Sequence, residues 1–386
     1  MSFQGFRRND GTVGTRNHVL VVSTVVCANQ VAVNVSNSID KAVSITHQLG
    51  CGHLGADYMR VLSTLVGFGR NPNVAAVLVV GLGCENIQAK LVAAEIAKSN
   101  KPVQYINIQD EGETIKATQK GVEILLDLSE EVSEFEREKC DLSELVLGLQ
   151  CGGSDATSGI VGNPAVGVAS EMVVKAGGTV ILPEATEWIG AEHLLARRAV
   201  NEEIGKKVYA VVDKYISKVL SLGIDIRGSQ PTPGNIEGGI TTIEEKSLGT
   251  ICKGGNSPIQ GLLEYGEKPP GKGLYVMDEP GLDVESITGL AAAGSQLITF
   301  TTGVGTPVGS PIAPVIKVTG NHRTYEKMND NIDIDVSTVL EGRENLQQAG
   351  ERILKEILEV ASGKGTKAEM LKNREFAIYR VWQYMV

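Results

Sequence analysis

Aromatic residues are scarce, at 4% of the chain, and no stretch approaches the roughly 20 uncharged apolar residues that a membrane-spanning helix needs. Any core must be aliphatic, in a fold that is neither disordered nor inserted in a membrane. Basic residues are in deficit: 36 Lys and Arg against 46 Asp and Glu leave a net charge of −10, with no basic run. Such a surface repels a nucleic-acid backbone or an anionic membrane, so a small molecule or another protein is the expected partner. The start, Met1 to Arg8, lacks the apolar segment of a secretory signal. Six cysteines without a signal belong to a reducing, cytoplasmic setting, where they act as ligands or buried hydrophobes and not as disulfides. None is arranged as Cys-x-x-Cys, which argues against a closed structural zinc site.

Glycine is abundant instead: 45 of 386 residues, about 12% against a usual figure of about 7%. Many turns must therefore let backbone approach something closely. The 42% hydrophobic and 21% charged fractions are those of an ordinary globular protein, and the length favours two domains.

From Val19 to Ile108, short β-branched runs (Leu20 to Val26, Ala42 to Thr46, Val74 to Val80, Val103 to Ile108) alternate with amphipathic stretches (Gln30 to Asp40, Ala56 to Phe68, Ile87 to Ser99). Parallel strands need helical crossovers and are buried on both faces, so this alternation predicts a doubly wound parallel sheet. A charged segment, Glu111 to Lys139, reads as a closing helix and connector. The expected N-terminal domain is 1–140. A second, larger, glycine-rich α/β domain, 141–386, is expected to hold the catalytic centre. Its strands are Leu145 to Leu149, Thr179 to Leu182, Leu274 to Met277 and Leu297 to Phe300. Its helices are Pro164 to Lys175, Trp188 to Leu220 and an outer one within Val339 to Val360. Between them lies a glycine-rich region, Gly228 to Gly273.

Ligands of open parallel sheets bind beyond the carboxyl ends of the strands, and there each predicted strand carries reactive groups. In order these are Cys27; His47 to His53 with Cys51; Gly81 to Asn86 with Cys84 and Glu85; Gln109-Asp110-Glu111; Cys151 to Asp155; Glu184; and Asp278-Glu279. Cys27, Cys51, Cys84 and Cys151 are candidates to converge on one crevice. Thiolate and imidazole ligands suit iron or zinc held by residues from separate loops. Cys140 and Cys252 read as structural. His47, at a strand end four residues before Cys51, is the histidine most open to a functional role; His18, His53, His193 and His322 read as surface or core groups. Lys253, before two glycines, is a candidate base or carboxylate partner. Gly81-Leu82-Gly83 fails as a dinucleotide fingerprint, because Asn86 occupies the third glycine position.

Five longer motifs carry a family resemblance. They are Asp10 to Asn17, His47 to Cys51, Gly81 to Asn86, Cys151 to Asp155, and Pro233-Gly234-Asn235 through Gly238-Gly239-Ile240-Thr241-Thr242 to Gly249. Together they resemble the altronate/galactarate dehydratases, also called altronate hydrolases, from about Arg8 to the C-terminus. The resemblance implies an iron-dependent hydro-lyase that removes water from a sugar acid to give a 2-keto-3-deoxy acid. The sulfolactate sulfo-lyases, which expel sulfite, are the sibling branch, and a non-catalytic binding or scaffold subunit is the alternative from another class. The implied metal ligands are Cys51, Cys84, Cys151 and Glu85, around Fe2+ or a labile iron–sulfur cluster. Lys253 or His47 is the implied base, with Glu184 or Asp155 in the proton-transfer shell. Arg16, Asn17, Gly152, Ser154, Asn235, Thr241 and Thr242 are the implied substrate contacts. Two departures stand out. Gly303-Val304-Gly305 replaces the family's Gly-Arg-Gly, which removes a charged fork and implies a smaller or less anionic substrate than a six-carbon diacid. The small β-rich domain of single-chain members is not seen ahead of Asp10, so the expected partners are a separate small β-rich subunit and further copies of this chain.

Overall fold

The computed structural model describes residues 1–380, without the side chains of residues 228 and 229. Fourteen strands build three sheets among the described residues. In the first part of the chain these are β1 (Ser2–Arg7), β2 (Val13–Gly14), β3 (His18–Ser23), β4 (Ala42–Ile45), β5 (Val74–Gly81), β6 (Val103–Asn107) and β7 (Glu138–Asp141). The rest follow as β8 (Val146–Cys151), β9 (Thr179–Leu182), β10 (Ile259–Leu263), β11 (Gly273–Met277), β12 (Leu297–Thr301), β13 (Val315–Thr319) and β14 (Ile334–Asp335). A four-stranded parallel sheet has the order β4-β3-β5-β6, and a seven-stranded parallel sheet the order β10-β11-β9-β8-β12-β13-β14.

β5 shows why the apolar runs become parallel strands: all eight of its residues are buried, as a strand covered by helices on both faces requires. The side chains of β3 alternate between two cores. Val19 and Val21 pack with the helices Asn29–Ser36 and Thr114–Glu131, whereas Leu20 and Val22 pack with Gly55–Arg70 and Ala89–Ala97. That second core runs on without a break into the larger sheet, where it includes Ile298 and Phe300 of β12 and Ile287 and Leu290 of the helix Asp283–Ala292. The remainder of the expected second region closes around its own aliphatic core, and the last six residues of the chain lie outside the described ones.

Sequence periodicity missed one sheet. The expected connector Glu111 to Lys139 is helical over Thr114–Glu131, but Glu138–Asp141 is a strand, β7, antiparallel to β1 in the small sheet β2-β1-β7. Only Cys140 of β7 is buried, so no apolar alternation marks it, and its partner lies more than a hundred residues earlier. The glycine-rich region also contains more order than composition suggests: the helices Pro233–Glu237 and Ile243–Ile251, and the strand β10.

The amino ends of the two large sheets are tied by buried amides. Asn73 Oδ1 accepts from Thr15 N at 2.7 Å, and its Nδ2 donates to Gln296 O and Ile312 O, both at 2.8 Å. Asn71 Nδ2 donates to Ala291 O (2.8 Å) and Ser295 O (3.0 Å). Both carboxyl edges therefore lie away from this junction. Asn73→Ala would strip buried Thr15 N and Ile312 O of this partner, while Gln296 O keeps Thr15 Oγ1 at 3.2 Å, at about 1–3 kcal/mol for each group that water cannot reach. A loss of about 2–4 kcal/mol is expected in urea unfolding, and a change below about 1 kcal/mol would show that the junction is not held this way.

Candidate active site

At the carboxyl edge of the seven-stranded sheet the strand order reverses between β8 and β12, with β9 on the other side of β8. β8 ends in Cys151 and runs into Gly152-Gly153; β9 runs through Pro183 into Glu184 and the short helix Ala185–Trp188, which carries Glu187. The helix Ile243–Ile251 and the following turn Cys252–Gly254 present Lys246, Thr250 and Lys253 to the same place, four and three residues apart on one face. The loop after β11 adds Glu279, and the first turn of the helix Asp283–Ala292 adds Asp283.

Cys151 Sγ lies 3.1 Å from Glu184 Oε1 and 3.1 Å from Glu187 Oε2. One S–H cannot serve two acceptors, and Glu184 Oε1 also accepts from Cys151 N at 3.0 Å and Gln150 Nε2 at 3.1 Å. Lys253 Nζ pairs with Glu184 Oε2, both side chains fully buried, and Lys246 Nζ pairs with Glu187 Oε1 at 2.8 Å. Thr250 Oγ1 donates to Glu187 Oε2 at 2.7 Å. Each carboxylate thus keeps one oxygen turned to the sulfur. The three ligand atoms of Cys151, Glu184 and Glu187 all lie within 4.8 Å of one another, the one such group of three or more among the described residues. A thiolate with two carboxylates fits a borderline divalent ion such as Fe2+ or Zn2+, whereas Mg2+ and Ca2+ prefer oxygen alone.

Glu184 has a left-handed backbone, φ 73° and ψ 52°, a conformation that a non-glycine residue holds only when its surroundings impose it. Here Glu279 imposes it: its Oε1 accepts from Glu184 N at 2.6 Å, while its Oε2 accepts from Gly281 N (3.0 Å) and Ser286 Oγ (2.6 Å). A cavity of about 410 Å³ opens beside the cluster, lined among others by Cys151, Gly152, Gly153, Glu187, Lys246 and Asp283. A Cβ on Gly152 would come within 2.6 Å of an Asp283 carboxylate oxygen, so only glycine lets Asp283 approach. The same construction on Gly153 strikes Val304, which stands 45% exposed beside it.

Carboxyls outnumber ammonium groups here, and the titrations follow. Burial pushes Glu279 up to about 8, with the nearby Glu184 adding to the effect, and pushes Asp283 up to about 6, helped by Glu187. Burial also raises Glu184, against the pull of Lys253. Burial would raise Glu187 as well, but Lys246 and Lys253 outweigh it and hold that carboxyl below its usual value. The Cys151 thiol is pushed well up by burial and the adjoining carboxylates. Burial works against the Lys253 ammonium, yet the sulfur, Glu184 and Glu187 around it keep its proton in place.

The other expected site residues lie elsewhere or are spent on structure. His47 is buried in the smaller sheet, with Nε2 2.9 Å from Ser23 O and Nδ1 accepting from Leu49 N, and burial lowers it to about 4. Asp155 Oδ1 accepts from Thr157 Oγ1 and from Ser158 N and Oγ, and its Oδ2 from Asn321 Nδ2, so it pins its own loop. Arg16 grips Glu369 with two hydrogen bonds, and Asn17 accepts from Arg8 and donates to Val132 O, near the amino edge of the smaller sheet. Thr241 donates to Glu245, and Thr242 caps the helix Ile243–Ile251. Asn235 lines the cavity while its Nδ2 donates to Ser154 O. Glu85 is occupied by Thr24 Oγ1 (2.8 Å) and Gly83 N (2.6 Å). Cys51 and Cys84 are exposed on the smaller sheet, and neither they nor Glu85 join the group at Cys151. Sequence reasoning missed Glu187, Lys246 and Asp283. The polar stripe Lys246, Thr250, Lys253 was the legible signal; Asp283 had none.

The raised carboxyls set a pH dependence. Glu279 binds its proton more tightly in the folded chain, where its value is about 8, than in the unfolded one, where a glutamate sits near about 4.3. Its stabilising contribution is complete below the unfolded value and is lost as pH rises through about 8. The metal-free protein should therefore melt at lower temperature at pH near 8 than near 6, with a slope of up to about 1.4 kcal/mol per pH unit. Glu279→Gln should flatten it, and a melting point that rises over this interval would contradict the assignment.

Residues 142–384 match the C-terminal domain of D-galactarate/altronate dehydratase, and residues 5–133 match the second domain of D-galactarate dehydratase/altronate hydrolase. The (2R)-sulfolactate sulfo-lyase subunit beta of Chromohalobacter salexigens is 41% identical, over 99% of this chain and 98% of that relative. Altronate dehydratase of Bacillus subtilis is 36% identical over 98% of this chain and 78% of its own length. Galactarate dehydratase (L-threo-forming) of Escherichia coli is 37% identical over 94% and 73%. With both of its α/β regions matched in order and relatives aligned along nearly all of it, the chain belongs to the D-galactarate/altronate dehydratase family.

Proposed function

We propose that this chain is the catalytic subunit of a cytoplasmic β-eliminating lyase that removes water from a small sugar acid such as altronate, giving a 2-keto-3-deoxy acid. The observation that carries the reading is the cavity wall, where Cys151, Glu187, Asp283 and Lys246 meet, backed by the buried Lys253–Glu184 pair, at the strand-order reversal of a dehydratase-family chain. Six unpaired cysteines support the reducing setting, and no helix of the described residues is long and apolar enough to cross a membrane.

The reaction needs a base for the α proton, positive charge for the enediolate-like intermediate and a proton for the leaving hydroxide. Asp283 is the carboxylate on the cavity wall with a pKa of about 6, ionised at neutral pH yet still basic, and it suits the α proton. Lys246, on the same wall and oriented by Glu187, suits the substrate carboxylate. Lys253 keeps its proton and neutralises Glu184, which suits a charge anchor better than a base. Cys151, Glu184 and Glu187 would hold iron. Bound there, iron would supply Lewis acidity toward the substrate oxygens. Gly152 and Gly153 line the cavity and, lacking side chains, let Asp283 and Val304 pack close beside it.

A second reading, elimination of sulfite from sulfolactate, is favoured by a specific observation: the sulfo-lyase relative is matched over 98% of its length and is named as a beta subunit. The subunit name also supports a separate small partner. Leu282, on the cavity wall and 51% exposed, and Val304, 45% exposed beside Gly153, offer it apolar surface.

Anaerobic assay with Fe2+, with and without a small subunit, on aldonates, aldarates and sulfolactate should give 2-keto acid without sulfite. Sulfite would transfer the assignment to the second reading, and silence on every substrate would favour a scaffold role. Asp283→Asn should lower kcat by about 10²–10⁴ with the fold intact by circular dichroism. Val304, where the resembled family carries arginine, predicts poor use of a six-carbon diacid. Efficient dehydration of galactarate would overturn that.

A further inference from the structure

The elimination site uses one cysteine and leaves five. Of these, Cys140 is buried and Cys252 half-buried, whereas Cys27, Cys51 and Cys84 are exposed. Free cysteine is among the most buried residue types, and an exposed thiol invites oxidation, so three on one face call for a reason. All three lie at the carboxyl edge of the four-stranded sheet, just beyond the adjacent strands β4, β3 and β5. In the order β4-β3-β5-β6 the winding reverses between β3 and β5. Their loops carry Cys27 and Cys84, and that of β4 carries Cys51. The crevice at such a reversal is where open parallel sheets bind ligands.

The three loops are also locked to one another. Val26 N donates to Leu49 O at 3.0 Å, Asn29 Nδ2 to His47 O at 2.8 Å, Thr24 Oγ1 to Glu85 Oε1 at 2.8 Å, and Gly52 N to Asn86 Oδ1 at 2.9 Å. Cys51 sits between two left-handed glycines, Gly50 (φ 109°) and Gly52 (φ 72°), and Cys84 follows a third, Gly83 (φ 124°). The buried groups His47, His53 and Glu85 are thereby spent on holding the loops, which leaves the thiols to act as ligands, Cys84 Sγ accepting one long contact from Gln109 Nε2 at 3.5 Å. The three sulfurs do not form a group within 4.8 Å. A single ion with bonds of about 2.3 Å would draw its sulfur ligands to within about 4 Å of one another. A polynuclear cluster spreads its cysteines around several metal atoms and suits the wider spacing.

We infer that Cys27, Cys51 and Cys84 form a three-thiolate site for an iron–sulfur cluster on the smaller sheet, separate from the Cys151 centre. It stands independently of the elimination reading, because its ligands belong to other strands and its readout is not turnover.

The test is anaerobic reconstitution of the full chain with Fe2+ and sulfide, followed by absorption and electron paramagnetic resonance spectra, metal and sulfide analysis and thiol titration. The expected result is a sulfide-to-iron charge-transfer band with up to about four sulfides, iron exceeding sulfide by no more than the one ion of the Cys151 centre, and protection of Cys27, Cys51 and Cys84. Cys27→Ser, Cys51→Ser and Cys84→Ser should each lose most of the band and its sulfide, while Cys140→Ser, Cys151→Ser and Cys252→Ser keep them. Circular dichroism confirms that the variants are folded, and Cys151→Ser supplies the internal reference. Loss of the cluster in Cys151→Ser with retention in Cys27→Ser would move it to the crevice and overturn the inference. Binding of iron without sulfide, or three thiols still reactive after reconstitution, would overturn it too.

Discussion

Lys253 neutralising Glu184 in a fully buried pair is the interaction on which the rest of the centre depends. Removing one partner of such a pair strands a charge in low dielectric and typically costs about 3–5 kcal/mol. The fold is arranged to deliver that ammonium. Gly167, in the helix Asn163–Lys175, lets the helix backbone come so close to the Cys252 carbonyl that any Cβ would collide with it. Gly255 then turns the chain away at φ 59°, in space that a side chain would have to share with Glu171. The glycines around Lys253 thus bring a helical turn against the sheet edge, so that a short reach suffices to meet Glu184.

Around that pair the charge balance remains negative. Glu184, Glu187, Glu279 and Asp283 face two ammonium groups, and the shortfall appears as raised carboxyls and as one thiol between two carboxylate oxygens. A centre with this balance is suited to receive a cation, and dehydration and desulfonation make the same demand on it. Both abstract a proton next to a carboxylate and expel a group from the neighbouring carbon; they differ in the leaving group and its charge. On the proposed reading, specificity then belongs to the cavity rim, where Val304 packs on Gly153, more than to the buried cluster.

How much of this could be read in advance depends on range. β3, β5 and β9 were legible because a strand covered on both faces must be apolar throughout, and β9 was located to the residue at Thr179–Leu182. β7 was not, because a single buried residue of four carries no period. Cys151 and Glu184 were found as strand-end residues, and Lys253 through its glycines. Glu187 and Asp283 were missed because nothing local separates a cavity-lining carboxylate from a solvated one; burial by distant segments makes that difference.

By itself the sequence determined the α/β class, the alternation of strands and helices, and the reactive residues that follow each strand. These rest on local periodicity and chain stiffness, which a short window contains. Only the tertiary structure decided which strand ends share a crevice. The sheet orders put Cys151 beside Glu184 and Glu187 on one sheet, and left Cys51 and Cys84 on the other, whose amino edge is bound to the first by Asn73. Strand order is set by long-range packing that no local pattern encodes. It turned four strand-end cysteines that look equivalent in the sequence into one buried thiol and three exposed ones.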